Sequence, residues 1–363
     1  MEGFNFEDLI FGHIDNEKTS LDYGLEIEQA ILNKNYQEAA DLGIEAREKN
    51  IVLTMDTYTN LMRAFATLGQ YQEAINVANE ARRYEILNAN GYASLMANLG
   101  KLGRYQEAIN VANEAIEHGM LNVYIYTNLI AAFNETGRYQ EAIVAGIEAR
   151  GHGMLSISGY ANLTTALSGN GQYQDVIDIA FEAREHGMLN VTSYANLIAA
   201  LNSIGHYQEA VGAGIEAREH GMLNANGYAA STFALNATGR YQDTINAAIE
   251  ARGSGILNAN SYVNLTTALN MIGLYQDAIN IALEAKGQGM INSGSYTNLM
   301  VALNKVGQHQ EVAAVGAEAR ELRMLDANGY AIFANSLRVL GKQAEATIIE
   351  NELRGLKGQN QRQ

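Results

Sequence analysis

A tyrosine returns every 34 residues along most of this 363-residue chain: Tyr71, Tyr105, Tyr139, Tyr173, Tyr207, Tyr241 and Tyr275. Tyr36 opens the series 35 residues before Tyr71, and His309 and Gln343 continue its register. A second series runs thirteen residues upstream: Tyr23, Tyr58, Tyr92, Tyr126, Tyr160, Tyr194, Tyr228, Tyr262, Tyr296 and Tyr330. A fixed period of this size is the mark of stacked helical hairpins, each burying its apolar face only against its neighbours. Length alone would suggest two or three domains. The repeat argues instead for one elongated array of ten units.

Each unit reads as two helices. In the first, apolar residues follow the tyrosine at +3 and +7, as in Tyr194, Leu197 and Leu201, which places them on one helical face. A glycine stands two residues before the second tyrosine in nine of ten units, from Gly69 to Gly341. Glycine there supplies the backbone angles that end one helix before the next starts. The second helix carries small residues at +3, +7 and +10, such as Ala149 and Ala183, so its axis can approach a partner helix closely. Asn88, Asn122, Asn190, Asn224, Asn258 and Asn292 stand where they would cap the next first helix. No segment alternates with period two for long, so no strand is expected.

The pattern resembles the tetratricopeptide repeat. The matching core is Gly137-Arg138-Tyr139-Gln140-Glu141-Ala142-Ile143, with Tyr126, Leu129 and Ala149 at the other family positions, and it covers roughly residues 20–356. Two departures stand out. Ile130, Thr164 or Ile198 replaces a small residue, and Met154, Met188 or Met222 fills the place of a proline. Those features are similar to the pentatricopeptide repeat, a family of 35-residue units that binds single-stranded RNA. The resemblance implies an all-α, right-handed superhelical solenoid of about ten helix-turn-helix repeats over residues 19–357. It also implies a concave groove lined by the first helices.

Charge separates the two functional expectations. The chain has 24 Lys and Arg against 40 Asp and Glu, a net charge of −16, and no basic run. Nucleic-acid affinity is mostly phosphate neutralisation by Lys and Arg. The residue after the first tyrosine, which reads bases in the RNA-binding family, is here Thr127, Ala161, Ala195, Ala229, Val263 and Thr297. Alanine and valine cannot hydrogen-bond a base edge. RNA is therefore expected to be an unlikely partner.

Two asparagine rows carry the functional expectation. Asn60, Asn128, Asn162, Asn196, Asn264 and Asn298 lie two residues after the first tyrosine, with Ser94 and Ala230 interrupting. Asn134, Asn202, Asn236, Asn270 and Asn304 lie six residues further on. In the resembling family the first row's positions line the groove and grip an extended peptide backbone, and the second row's positions lie near the groove. A carboxamide can both donate and accept, so it pairs with a peptide group whatever the side chain. The structural alternative is that these amides bridge adjacent repeats or face water. The expected function is a non-enzymatic scaffold binding an extended protein segment. The alternatives are an end-to-end homo-oligomeric filament and an RNA binder.

The remaining motifs exclude more than they assign. With no cysteine there is no disulfide, thiolate metal site or cysteine nucleophile. His118, His152, His186 and His220 form a ladder, but one histidine per layer of helices about 8–10 Å apart does not surround one ion. No cofactor and no metal are expected. Paired acids such as Glu114 and Glu117 read as solvated surface charges. Met1–Phe11 lacks the basic start of a signal peptide, and no apolar run is long enough to cross a bilayer. A cytoplasmic location is the default, with secretion by another route left open, and no membrane partner is expected. Residues 1–18, with Phe4, Phe6 and Phe11, read as an N-terminal cap or docking segment. Residues 358–363 read as a polar tail.

Overall fold

The computed structural model describes residues 18–360, with side chains as far as residue 355. Residues 1–17, on which the expected N-terminal cap falls, and residues 361–363 lie outside the described residues. Among the described residues there are twenty helices and no strand. The first, or A, helices are α1 (Ser20–Leu32), α3 (Met55–Thr67), α5 (Ala89–Lys101), α7 (Val123–Glu135), α9 (Ile157–Gly169), α11 (Val191–Ser203), α13 (Ala225–Ala237), α15 (Ala259–Met271), α17 (Ser293–Lys305) and α19 (Ala327–Val339). The second, or B, helices are α2 (Tyr36–Glu48), α4 (Tyr71–Arg83), α6 (Tyr105–Glu117), α8 (Tyr139–Gly151), α10 (Tyr173–Glu185), α12 (Tyr207–Glu219), α14 (Tyr241–Gly253), α16 (Tyr275–Gly287), α18 (His309–Glu321) and α20 (Gln343–Asn360). The fold is an all-α helical-repeat solenoid of ten hairpins, as the period predicts. Helix α20 runs to Asn360, past the start of the expected tail at Gly358.

Local chemistry sets the ends of the helices. Every A helix has a side-chain cap: Asn88, Asn224, Asn258 and Asn292 each accept from the backbone N–H three residues on, as do Thr54, Ser156 and Asp326. Most B helices lack such a cap. They carry an acid in the first turn instead, for example Glu107 or Asp243, where the positive end of the helix dipole favours it. Two hinges per repeat take left-handed backbone angles. The A-to-B hinge is glycine from Gly69 to Gly341 but Lys34 (φ 58°) in the first repeat. The B-to-A hinge is glycine in repeats 3 to 8, such as Gly119 and Gly255, but Asn50, Glu85 and Arg323 serve in repeats 1, 2 and 9.

The helices group into two compact units, one ending at Asn170 and one starting at Gly171. Within the first, the largest fully buried side chains include Tyr23, Tyr58, Phe65, Leu61 and Tyr126. Within the second, Tyr262, Leu265, Leu269, Met300, Leu303 and Phe333 belong to one core cluster. In each unit the backbones of successive A helices touch, whereas no two B helices approach as closely. Buried alanines such as Ala132, Ala234 and Ala268 permit that close approach of the A helices. The A helices thus form a crowded face, and the B helices stand apart on the other side.

The splayed B helices are tied by a repeated polar triad. The A-helix tyrosine donates its hydroxyl to a glutamate 22 residues later on the B helix of its own repeat: Tyr58 to Glu80 at 2.7 Å, Tyr92 to Glu114 at 2.8 Å and Tyr194 to Glu216 at 2.9 Å. The same glutamate takes an ion pair from the preceding B helix, from Arg47, Arg82 and Arg184 respectively. Arg252 and Lys286 repeat the arrangement at Glu284 and Glu318. This corrects the reading of Glu114 as a solvated charge. Its carboxylate joins two repeats.

Candidate binding groove

The A-helix face presents the residues at −2, +1, +2, +5 and +8 from each tyrosine. In α11 these are Thr192, Ala195, Asn196, Ala199 and Asn202, a spacing that keeps them on one side of the helix. Across α11, α13 and α15 they line a cleft of about 920 Å³. Its walls are Thr192, Asn196, Asn202, Asn236, Asn264 and Thr267. Its floor is Ala195, Ala199, Ala229 and Ala230, and Phe233 stands inside it. No residue lining this cleft carries a formal charge. The net charge of −16 lies elsewhere, much of it on the B helices.

Both predicted asparagine rows sit at the seams of this face, and their amide N–H groups are engaged within the chain. In the first row, Asn128, Asn162, Asn264 and Asn298 donate to the carbonyls of Ala93, Thr127, Ala229 and Val263, one repeat back, at 2.8–3.1 Å. Each acceptor is the residue just after the A-helix tyrosine. In the second row, Asn134, Asn202, Asn236 and Asn270 donate forward to the carbonyls of Asn162, Ala230, Asn264 and Asn298 at 2.8–3.0 Å. Asn60 differs: its Oδ1 accepts from Arg63 at 3.0 Å. Asn196 lines the cleft, and Asn304 is half-buried at the matching register. Within each unit these bonds stitch neighbouring A helices together, α5 to α7 to α9 in the first and α11 to α13 to α15 to α17 in the second.

One atom in the second row has no partner in three repeats. The Oδ1 atoms of Asn134, Asn202 and Asn270 are buried without a hydrogen bond. In Asn236 the same atom accepts from the Thr244 hydroxyl at 2.9 Å. The corresponding B-helix residues Ala142, Ala210 and Ala278 have no hydroxyl to offer.

In two repeats the residue after the A-helix tyrosine pairs with the next repeat's helix cap. Thr127 pairs with Ser156 at 2.9 Å and Thr297 with Asp326 at 2.8 Å. The histidine ladder lies at B-helix ends, where His118, His152, His186 and His220 are exposed C-cap residues. His118 Nδ1 lies 3.3 Å from the Tyr92 hydroxyl, and His152 stacks on Tyr126. Among the described residues no group of three or more His, Asp or Glu is arranged to hold a metal ion. None of the described helices is long and apolar enough to cross a membrane.

A solenoid of helical hairpins with a groove along its A helices is the architecture of repeat proteins of the tetratricopeptide and pentatricopeptide kind. Residues 56–86 match the PPR repeat family. Similar solved structures include a tetratricopeptide repeat protein from Parabacteroides merdae, at 13% identity over 69% of this chain and 98% of that one, with a TM-score of 0.51. They also include the pentatricopeptide repeat protein PPR10 from maize, at 15% identity and a TM-score of 0.47. PPR10 in complex with an 18-nt psaJ RNA element matches at 16% identity and a TM-score of 0.36. This chain is covered to 94% and 95% in those two comparisons and spans 64% and 56% of the PPR10 chains. No curated protein matches the sequence.

The expectation that RNA is an unlikely partner is corrected by the match of residues 56–86 to the RNA-binding PPR repeat family. The physical reason is where the charge sits. A sum of −16 over the whole chain says nothing about a cleft whose lining holds no acid to repel a phosphate.

Proposed function

We propose that this chain is a non-enzymatic scaffold whose A-helix groove takes an extended segment of a partner protein. The observation that carries this reading is the uncharged cleft spanning three successive repeats, with a methyl floor and amide and hydroxyl walls. An extended peptide needs room for its backbone and alternating polar contacts along its length. Repeats spaced at a constant interval offer both. In this reading the asparagine rows set the spacing of the wall, and the ligand meets their edges together with the threonines and loop asparagines. The test is selection of peptides from a random library on the full chain, followed by Ala199→Lys and Thr267→Lys. We expect both variants to keep the helical circular dichroism and lose the selected peptides. Undiminished binding in both would refute the groove reading.

A second reading is favoured by the PPR repeat match at residues 56–86. Here the same face takes single-stranded RNA, one strand along the A helices. Filter binding of random single-stranded RNA across a salt series tests it, because phosphate contacts give a steep loss of affinity with salt. Binding without salt dependence, or none, counts against this reading.

A further inference from the structure

Repeat 7 departs from its neighbours at three positions of α13 together. Ala230 stands where Asn196 and Asn264 stand, Ser231 where Leu197 and Leu265 stand, and Phe233 where Ala199 and Thr267 stand. Ser231 is buried against Gly214 of α12, whereas Ala230 and Phe233 both line the cleft. The Phe233 ring is 47% exposed and projects into the groove. Tyr207 holds it edge to face, with ring centroids 6.1 Å apart. Ala230 also removes an amide. The carbonyls of Ala93, Thr127, Ala229 and Val263 each receive an asparagine N–H from the next repeat, and the Ala195 carbonyl, whose register partner is Ala230, does not.

The spot therefore combines a fixed aromatic face, a methyl floor and a carbonyl acceptor that lacks its amide. We propose that repeat 7 holds a pocket for an aromatic side chain bearing a hydrogen-bond donor, tryptophan first, carried by an extended polypeptide segment. This rests on the peptide-groove reading and names what one part of that groove takes. Aromatic pairs favour edge-to-face or offset contact, and Phe233 offers its free ring surface for one. The indole N–H reaches toward the Ala195 carbonyl. A charged side chain would lose its hydration here with no counter-charge in the lining. The lining also has no cation to pair a nucleotide phosphate.

The chain contains no tryptophan, so the emission of a peptide's own tryptophan reports the bound state without background. The experiment titrates the full chain into short Gly/Ser/Lys peptides that differ only in a central Trp, Leu or Ala, followed by isothermal calorimetry, with the emission of the Trp peptide as a second readout. We expect the Trp peptide to bind about tenfold tighter than the Ala peptide, a difference within reach of one aromatic contact plus one hydrogen bond, and its emission to shift to shorter wavelength. Phe233→Ala and Ala230→Asn should each abolish that preference. The second variant only restores the residue carried by the neighbouring repeats, so its fold is secure. If all three peptides bind alike and neither variant matters, the pocket is wrong while the groove stands. If no peptide binds, the groove reading falls and takes the pocket with it. If instead a single-stranded oligonucleotide carrying 2-aminopurine is quenched in a Phe233-dependent way, the pocket takes a base, and the assignment to a side chain is overturned.

Discussion

The amide of Asn264 donates to the carbonyl of Ala229 at 2.8 Å and to the hydroxyl of Thr232 at 3.0 Å, both on the preceding A helix. Asn264 is 7% exposed, so Asn264→Ala leaves buried acceptors without a donor. The expected loss of stability is ~1–3 kcal/mol, read from urea unfolding, with faster amide exchange in α13 and α15. Asn60→Ala removes only an acceptor for the exposed Arg63 and should change stability by less than about 0.5 kcal/mol. Equal effects at the two sites would show that the amide bridges between repeats contribute nothing.

Those two asparagines also mark what the sequence could and could not convey. Features that act within a few residues were legible. The asparagine caps, the hinge glycines and the apolar +3 and +7 positions each follow from local backbone chemistry, and the period then fixes the stacking. Even Lys34, Asn50, Glu85 and Arg323 take the hinge angle because the register demands it. The direction of an amide was not legible, because +2 and +8 lie at the edge of the groove face, where a side chain can reach either a ligand or the next helix. The tyrosine–glutamate–arginine triads were missed for a different reason. Their members stand 22 and 32 residues apart, as in Tyr92, Glu114 and Arg82, so no local pattern joins them. Only alignment of one unit on the next would have shown that all three recur. The net charge misled because it sums over faces that a ligand never meets together.

The buried Oδ1 of Asn270 invites repair. Thr244 satisfies the equivalent atom of Asn236 from the third residue after its B-helix tyrosine, and Ala278 occupies that place beside Asn270. The A-helix neighbours also correspond, with buried Thr232 in one repeat and buried Thr266 in the next. Ala278→Thr should therefore stabilise the second unit by about 1 kcal/mol, the net worth of a hydrogen bond to an otherwise unmet acceptor. Thermal unfolding checks it, with Ala278→Val as the control that adds similar bulk without the hydroxyl. If Val stabilises as much as Thr, the gain comes from packing and the argument fails.

Gly316 and Phe333 form a matched pair in the core. A Cβ on Gly316 would lie 2.5 Å from Phe333 Cγ and 2.7 Å from its Cδ2, too close for atoms at the root of a ring. The same register holds an alanine opposite a leucine in other repeats, as in Ala248 and Leu265, both buried. Gly316→Ala alone should destabilise by ~1–3 kcal/mol through overpacking. Adding Phe333→Leu should recover much of that loss by recreating the alanine–leucine pair. A double-mutant cycle by denaturant unfolding decides, since strictly additive effects would mean that the two positions do not share space.

The hydroxyls of Tyr92, Tyr126, Tyr194, Tyr228 and Tyr296 are pushed up to about 12, first by burial and then by donation to Glu114, Glu148, Glu216, Glu250 and Glu318. An unfolded tyrosine titrates near ~10. Because the folded value is the higher one, this contribution to stability is fully present below pH ~10 and is lost as pH rises toward about 12. Alkaline titration followed by tyrosinate absorbance should show these phenols ionising together with loss of helix, not before it. Glu216→Gln keeps an acceptor for Tyr194 but removes the carboxylate charge, so Tyr194 should ionise at lower pH in that variant. The opposite sign appears at Glu318. Its carboxyl is held below the ordinary range by the hydrogen bond from Lys286, so its contribution is present above the unfolded value of ~4.3 and fades as pH falls. Lys286→Met should therefore flatten the acid limb of the stability curve and leave the alkaline limb where it was. A shift of both limbs in Lys286→Met would mean that the ladder acts through general packing, with the charge of its glutamates of no consequence.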